Sequence, residues 1–217
     1  MPDAIKVHLY DDTTLLDTRT VDGGGNWSKT GQSLSAGAHQ LKGKAEDLAG
    51  NISGFSTIKK VYTGSTTTPV CDLLDDTGES STDNVTNDDT PRIRVYINLQ
   101  TESVALGIDL NPNAVKALKL QKSTDGGNNW SDVATETELS FDDAYIWDAF
   151  FYITTALPEG EVKFRALWQD QKNDWSATGP VLTIIVDTTA PNAPAITSPE
   201  NGQVFVGTSI DIAGTAS

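Results

Sequence analysis

Short β-rich runs recur about every eight to twelve residues along this chain, and Gly, Asn, Asp or Ser bounds each of them. This spacing is typical of a β-sandwich, and the near absence of apolar residues at the helix period argues against helical layers. The turns between the runs hold residues that tolerate the positive φ of tight turns. The sequence therefore predicts an all-β fold. In the first part of the chain, the predicted strands are 5–10, 15–21, 26–30, 38–46 and 56–63.

The second part of the chain repeats the order of the first. "TVDGGGNW" at 20–27 returns as "STDGGNNW" at 123–130, and "LSAGAHQLKGKAEDLAGNIS" at 34–53 parallels "LPEGEVKFRALWQDQKNDWS" at 157–176. If the "DGGxNW" phrases are hairpin turns at the same place in two modules, the interval that follows the Trp is about twenty residues longer in the second copy. We therefore expect the second module to carry an insert near 135–156.

An excess of acidic side chains limits the partners that the surface can attract. The chain has 30 Asp and Glu against 15 Lys and Arg, a formal net charge of −15. Nucleic acids and anionic membrane surfaces repel such a surface, so we expect neither as a partner. No apolar run approaches the roughly 18 residues of a membrane span, so we expect no membrane insertion. Cations are the natural counterpart, and Ca²⁺ prefers clustered oxygen ligands.

Four phrases along the chain point to a known family. "VDTTAPNAPAIT", "DLAGN", "GNWS" and "DTGESSTDNVTNDDTP" together resemble the tandem immunoglobulin-like (BIg-type) repeats of large bacterial surface adhesins and related repeat-rich exported proteins. The resemblance implies tandem immunoglobulin-like β-sandwich modules that bind calcium and act as structural or adhesive units, at the cell surface or secreted. A carbohydrate-binding accessory region of a secreted hydrolase is the alternative.

The predicted module boundaries do not coincide with the two ends of the chain. Modules of this family begin with two strands that resemble "APAITSPENGQVF" and "SIDIAGTAS", and residues 194–217 supply them instead of the start of the chain. We thus expect an incomplete module at 1–64 that lacks its first two strands, a module at 65–188, and a linker with two strands of a further module at 189–217.

A sandwich without two strands exposes a core face and open edges. We therefore expect residues 194–217 of one copy to complete residues 3–64 of another by β-strand addition. One alternative is that these strands fold back onto the first module of the same chain, which the intervening module makes geometrically difficult. Another is that these ends only reflect where a longer array was divided.

The resemblance also implies two sets of calcium ligands. The first set joins the loop "DLAGN" to the linker that precedes its module, and the acidic residue of that linker belongs to a neighbouring copy. The second set joins the loop "DQKND" to the acidic stretch that leads into the second module. The alternative is that these aspartates are ordinary turn residues. The predicted ligands are Asp47, Asn51, Asp72, Asp76, Asp83, Asp170, Asp174 and Asp187.

Aromatic residues concentrate in the predicted insert, where six of the sixteen in the chain fall within 141–152. An exposed row of aromatic rings stacks on sugars or anchors a protein. The candidate ligand-binding residues are Tyr145, Trp147 and Phe150, for a surface glycan or a host protein. The alternative is that most of these rings fill the core.

Catalytic chemistry has little support in the sequence. "STDGGNNW" fits the Asp-box pattern of sialidase-like β-propellers, but a propeller needs several blades of about 40–50 residues, and the two Trp-containing copies lie 103 residues apart. The single Cys71 and the two histidines, His8 and His39, offer little for a zinc site or a His-based triad. We expect that the protein is not an enzyme.

Overall fold

The computed structural model of the protein describes residues 4–78, 80–107, 110–142 and 144–216. Regular structure in these residues is almost entirely strand, with one short helix, α1 (Gln100–Leu106), and one 3-10 turn (Pro112–Ala114). The all-β prediction is therefore confirmed. Within the described ranges, no helix is long and apolar enough to cross a membrane. Residues 1–3, 79, 108–109, 143 and 217, which fall within the predicted modules, lie outside the described residues.

The first part of the chain forms one antiparallel sheet, which we call the first sheet. Its strand order is β2-β1-β3-β4. The predicted strand at 26–30 does not form, since that segment pairs with no neighbouring strand. The predicted strand at 56–63 shortens to the part that pairs with β3. The strands are β1 (Ala4–Asp11), β2 (Thr14–Thr20), β3 (Gly37–Asp47) and β4 (Lys59–Thr63).

The second part of the chain forms two facing sheets, which we call the second sandwich. One sheet has the order β10-β11-β7-β5 and the other β6-β13-β12-β8-β9. Large apolar side chains at most 1% exposed, such as Trp147, Phe151 and Phe164, fill the space between them. The strands are β5 (Val70–Leu73), β6 (Val85–Thr86), β7 (Arg92–Asn98), β8 (Ala117–Ser123), β9 (Ser131–Glu136), β10 (Ser140–Phe141), β11 (Ile146–Tyr152), β12 (Gly160–Gln169) and β13 (Leu182–Val186).

The first sheet corresponds to one half of the second sandwich. Strand β3 lies between β1 and β4, as β12 lies between β8 and β13. The loops that follow β3 and β12 are alike too, because each closes with an isolated bridge, Glu46 to Ile52 and Gln169 to Trp175. The sheet that contains β5, β7 and β11 has no counterpart in the first part of the chain among the described residues.

The segment predicted as an insert near 135–156 is an integral part of the sandwich. It contains β11, which pairs with β7 over its whole length and supplies Trp147 and Phe151 to the core. Among the described residues, the first part of the chain thus has no counterpart of the four strands of this sheet, whereas two missing strands were predicted.

The two copies of the "DGGxNW" phrase lie at different places in the fold, so the assumption that they are equivalent turns in two modules was wrong. In the first module it follows β2, whereas in the second it forms the turn between β8 and β9. The Asp side chain closes each loop locally: Asp22 Oδ1 accepts hydrogen bonds from the amides of Gly24 and Asn26, and Asp125 Oδ1 accepts one from the amide of Asn129. Because the loop is held by its own residues, it forms at two different places in the fold.

The end of the chain forms a two-stranded antiparallel hairpin, β14 (Ala195–Ser198) and β15 (Ala213–Thr215), which we call the C-terminal hairpin. All residues of both strands are exposed. The connecting segment exposes three consecutive apolar residues, at 204–206. The hairpin therefore makes no packed core with the rest of its own chain.

Candidate functional site

The predicted calcium ligands of the first module anchor their own loop. Asp47 Oδ1 accepts hydrogen bonds from the amides of Ala49 (2.9 Å) and Asn51 (2.8 Å), and Oδ2 accepts one from Asn51 Nδ2 at 2.8 Å. The hydrogen bond from the side-chain amide of Asn51 and, to a smaller extent, those from these backbone amides hold the pKa of Asp47 below its ordinary value. The carboxylate is thus already satisfied as an acceptor by the turn that it closes.

Asp170 repeats this arrangement in the second sandwich. Its Oδ1 accepts hydrogen bonds from the amides of Lys172 (2.8 Å) and Asp174 (3.0 Å). Asp142 makes the same contacts with the amides two and four residues ahead, at 3.0 and 3.1 Å. An Asp side chain that accepts hydrogen bonds from the backbone amides two and four residues ahead is therefore a recurring loop anchor in this chain.

The second predicted ligand set does not assemble. Strand β12 runs from Gly160, opposite Val186, to Gln169, immediately before the Asp170 loop, and Val186 also pairs with Thr86. Nine steps of strand at about 3.3 Å each separate the two ends of the sandwich by about 30 Å. Asp76 and Asp83 lie at the end near Thr86, since Asp76 Oδ2 accepts from the amide of Asn84 and Asp83 Oδ1 from that of Val85.

The expectation that Asp170 and Asp174 share an ion with the preceding acidic stretch is therefore wrong. Strand β5 carries the chain along the sandwich before that stretch begins, and Asp72 lies within β5 opposite Arg94, on the exposed side.

Asp187 lies at the end of the sandwich that holds Asp76 and Asp83. Its amide donates to the carbonyl of Thr86 at 2.9 Å, and its Oδ1 accepts from the amide of Thr189. In the part of the chain that the structure describes, no three His, Cys, Asp or Glu side chains form a group that could hold a metal ion. A site that joins Asp47 and Asn51 to the Asp187 of a neighbouring copy stays a prediction.

The three candidate aromatic ligands have different environments. Trp147 is fully buried, donates from Nε1 to the carbonyl of Pro112 at 2.6 Å, and its ring lies tilted against that of Phe141, with 4.6 Å between the centroids. Tyr145 is half-buried and packs against the core. Phe150 points away from the core and is 45% exposed. The prediction that Trp147 binds a ligand is wrong, because its side chain faces the inside of the sandwich.

The outer face of β11 carries one aromatic residue that the prediction omitted. Tyr152, two residues after Phe150 and therefore on the same face, is 64% exposed. Arg94 lies opposite Phe150 in register, and its guanidinium lies 4.9 Å from the Tyr96 ring. The charged Asp148 was the signal that could have separated outward from inward rings, because in a strand of period 2 it shares a face with Phe150 and Tyr152.

The first sheet has an apolar face without a facing sheet. Val7 pairs with Ala45, and Leu9 pairs with Gly43, so these side chains and Leu41 lie on one face. Together with Trp27, which is 43% exposed, they line a groove of about 490 Å³ that we call the open groove. In the second sandwich the corresponding face is fully covered.

Three lysines, Lys42, Lys44 and Lys59, line the open groove, and its described lining contains no carboxylate. The ammonium groups of Lys42 and Lys44 lie 4.5 and 4.3 Å from the centroid of the Phe55 ring, which is 48% exposed. Because Lys42 pairs with Tyr10 and Lys44 pairs with His8, the side chains of these two lysines lie on the face opposite to Val7 and Leu9. Lys59, which pairs with Leu41, lies on the apolar face.

A joint connects the first sheet to the second sandwich through α1. Glu102, which is 5% exposed, accepts hydrogen bonds at Oε1 from the hydroxyls of Ser65 (2.5 Å) and Thr67 (2.8 Å) in the connecting segment. Trp168 Nε1 donates to the carbonyl of Thr67 at 2.9 Å, and Lys60 Nζ donates to the carbonyl of Leu106 at 2.8 Å. We call these contacts the joint.

Comparisons with known proteins give little beyond the kind of fold. No family model matches the chain, and no curated protein matches it. One similar solved structure is that of the fibronectin(III)-like modules of Clostridium thermocellum CbhA, with 14% identity, a TM-score of 0.32, and coverage of 84% of this chain and 78% of that one. Another is a tetra-tandem repeat in the extending region of a large adhesion protein, with 18% identity, a TM-score of 0.36, and coverage of 92% and 46%. Neither match supports a functional assignment, since both TM-scores are below 0.5.

Proposed function

We propose that this chain is a structural and adhesive repeat region of a large exported bacterial protein, in which β-sandwich modules act as non-catalytic spacers. The observation that supports this proposal best is the joint. A segment between two domains moves freely by default, unless specific contacts fix it. Here the six residues between β4 and β5 are held by Glu102 and Trp168, so that the modules keep a fixed arrangement, as a spacer requires.

Pulsed EPR distances between the two modules test this role. Spin labels at Leu48→Cys and Val181→Cys, both exposed positions, in a Cys71→Ala background should give one narrow distance distribution. Glu102→Ala should broaden it, because Ser65 and Thr67 lose their acceptor. Glu138→Ala, at an exposed position outside the joint, is the matched control. A broad distribution in the protein with Glu102 intact would contradict the proposal.

Calcium stiffening is a separate proposal with its own test. The described residues of one copy do not bring the predicted ligands together, so the relevant set is Asp47 and Asn51 with Asp187 of a neighbouring copy. Melting is measured with Ca²⁺ and with chelator, at concentrations where copies associate. A ligand that binds only the native state raises its stability, so an unchanged midpoint rejects the calcium proposal.

A second candidate function is glycan binding by the second sandwich. The supporting observation is the exposed pair Phe150 and Tyr152 on one face of β11, beside Arg94. Aromatic rings on a flat strand face suit stacking on a polysaccharide. In a polysaccharide pull-down, Phe150→Ala with Tyr152→Ala should abolish retention, and Leu48→Ala, in another module, should leave it unchanged. Retention that survives the double change excludes this surface.

A further inference from the structure

We infer that the outward face of β7 and β11 binds an uncharged polysaccharide, and that Arg94 and Asp148 form hydrogen bonds with its hydroxyl groups. The inference rests on the glycan-binding candidate proposed above, which leaves open both the class of glycan and the polar residues that select it. The surface, which we call the aromatic face, consists of Arg92, Arg94, Tyr96, Asp148, Phe150 and Tyr152.

Two central strands give the aromatic face a regular geometry. β11 and β7 pair in continuous register over all seven residues of each strand. Neighbouring outward side chains are therefore about 6.6 Å apart along a strand and about 4.8 Å apart between strands. The alternate residues, such as Val95 and Phe151, point into the core and hold the strands in place. A wide, open surface of this kind suits an extended polymer, whereas a small ligand needs a cavity that surrounds it.

Three aromatic rings lie together on this face. Phe150 and Tyr152 are 45% and 64% exposed, and Tyr96, which is half-buried, lies diagonally across from Phe150 on the neighbouring strand. The outward positions of a sandwich are ordinarily polar, so two exposed rings on adjacent outward positions need a partner. Because an aromatic ring presents a flat apolar surface, it stacks on the C–H side of a sugar ring.

Charge selects the class of glycan. Both arginines of the aromatic face are already paired with carboxylates: Arg94 Nε donates to Asp148 Oδ2 at 2.8 Å, and Arg92 donates to Asp75 from Nε (3.0 Å) and Nη2 (2.7 Å). Asp72, which is exposed, lies opposite Arg94 on the other neighbouring strand. Two arginines and three aspartates leave this surface with a net negative charge. A carboxylated or sulfated glycan would therefore be repelled, and an uncharged polysaccharide fits.

The ion pair between Arg94 and Asp148 supplies polar groups at fixed positions beside Phe150. The two side chains are 32% and 13% exposed, and both Nε and Nη2 of Arg94 contact the same carboxylate oxygen, Oδ2. The other carboxylate oxygen is then an acceptor, and the remaining guanidinium N–H groups are donors, for the hydroxyls of a sugar. The apolar centre of a protein interface would instead remove both charges from water at a high cost. Sugar hydroxyls replace the water that they displace, so the face favours a glycan over a protein.

Native affinity electrophoresis of the full chain tests the inference. The gels contain an uncharged polysaccharide (hydroxyethyl cellulose or galactomannan) or a carboxylated one (alginate or polygalacturonate), and only the uncharged class should retard the chain. Phe150→Ala with Tyr152→Ala should weaken binding about tenfold, because both stacking surfaces are lost. Asp148→Asn keeps the shape of the side chain and removes its charge, so it should weaken binding about fivefold. Asp132→Asn, which removes the partner of Lys119 on the outward face of the other sheet, is the matched control and should bind like the unchanged protein.

The outcomes separate this inference from the glycan-binding candidate. Retardation by the carboxylated polymers, equal or stronger and lost in the double variant, would keep the candidate and reject the uncharged class. Retardation by neither class would reject both. Binding of uncharged polymers that Asp148→Asn leaves unchanged would overturn the role of the ion pair, and binding that survives the double variant would exclude the aromatic face. A dimer in sedimentation velocity that the double variant abolishes would show that a second copy covers this face instead.

Discussion

Replacement of Trp147 by Ala tests whether the aromatic cluster builds the core of the second sandwich. A fully buried Trp removes up to about 250 Å² from water, which at 25 cal/mol per Å² corresponds to about 6 kcal/mol. Trp→Ala changes in protein cores lower the free energy of unfolding by about 3–5 kcal/mol. The lost hydrogen bond from Nε1 to the carbonyl of Pro112 adds about 1 kcal/mol. We expect a total loss of about 4–6 kcal/mol.

Urea unfolding followed by far-UV circular dichroism measures this loss. Trp147→Phe keeps most of the packing and removes the hydrogen bond, so it should fall between the unchanged protein and Trp147→Ala and remain measurable if the Ala variant does not fold. Phe150→Ala, on the exposed side of the same strand, should change the free energy of unfolding by about 0.5 kcal/mol or less. A loss below about 1 kcal/mol for Trp147→Ala would refute the core assignment.

Three further predictions concern titratable groups. Burial raises the pKa of the Cys71 thiol to about 12, so Cys71 should not react with a thiol reagent such as Ellman's reagent until the protein unfolds. The hydrogen bond between His39 and Asp11 raises the pKa of His39 and lowers that of Asp11. The stabilisation by this pair is therefore complete between the ordinary pKa values of 3.8 and 6.5; it is lost as the pH rises through the raised pKa of His39, or falls through the lowered pKa of Asp11. Hydrogen exchange of the first sheet should then accelerate as the pH rises above 6.5, after correction for the intrinsic rate, and less in His39→Gln. Asp47→Ala should lower the melting temperature more than Asp47→Asn, because Asn still accepts the loop amides; equal effects would contradict the anchor role.

The sequence predicted the class of the fold better than its boundaries. Runs such as "IKVHLY" have period 2 and flanking turn residues, and they form strands because both signals are local. The segment at 26–30 has the composition of a strand but lies after β2, where no neighbouring strand offers it a ladder. Whether a segment forms a strand depends on which strands lie beside it in the fold, and the composition of the segment does not contain this information.

The candidate site was predicted less well, for two physical reasons. Asp and Asn are ligands for calcium and also the best acceptors for loop amides, and in Asp47 and Asp170 the second role is the one observed. We predicted that Asp76 and Asp83 would lie at the same end of the sandwich as Asp170. That prediction required a particular direction of β5, and no residue pattern reveals this direction. For the aromatic residues the information was present, since the alternation along β11 assigns Trp147 inward and Phe150 outward.

The net charge of this chain is distributed unevenly along its length. Residues 1–63 contain seven Lys and Arg and seven Asp and Glu, whereas residues 64–217 contain eight and 23, so the entire net charge of −15 lies in the second stretch. The acidic stretches of two copies therefore repel each other, and salt screens this repulsion between exposed charges beyond about 8–10 Å.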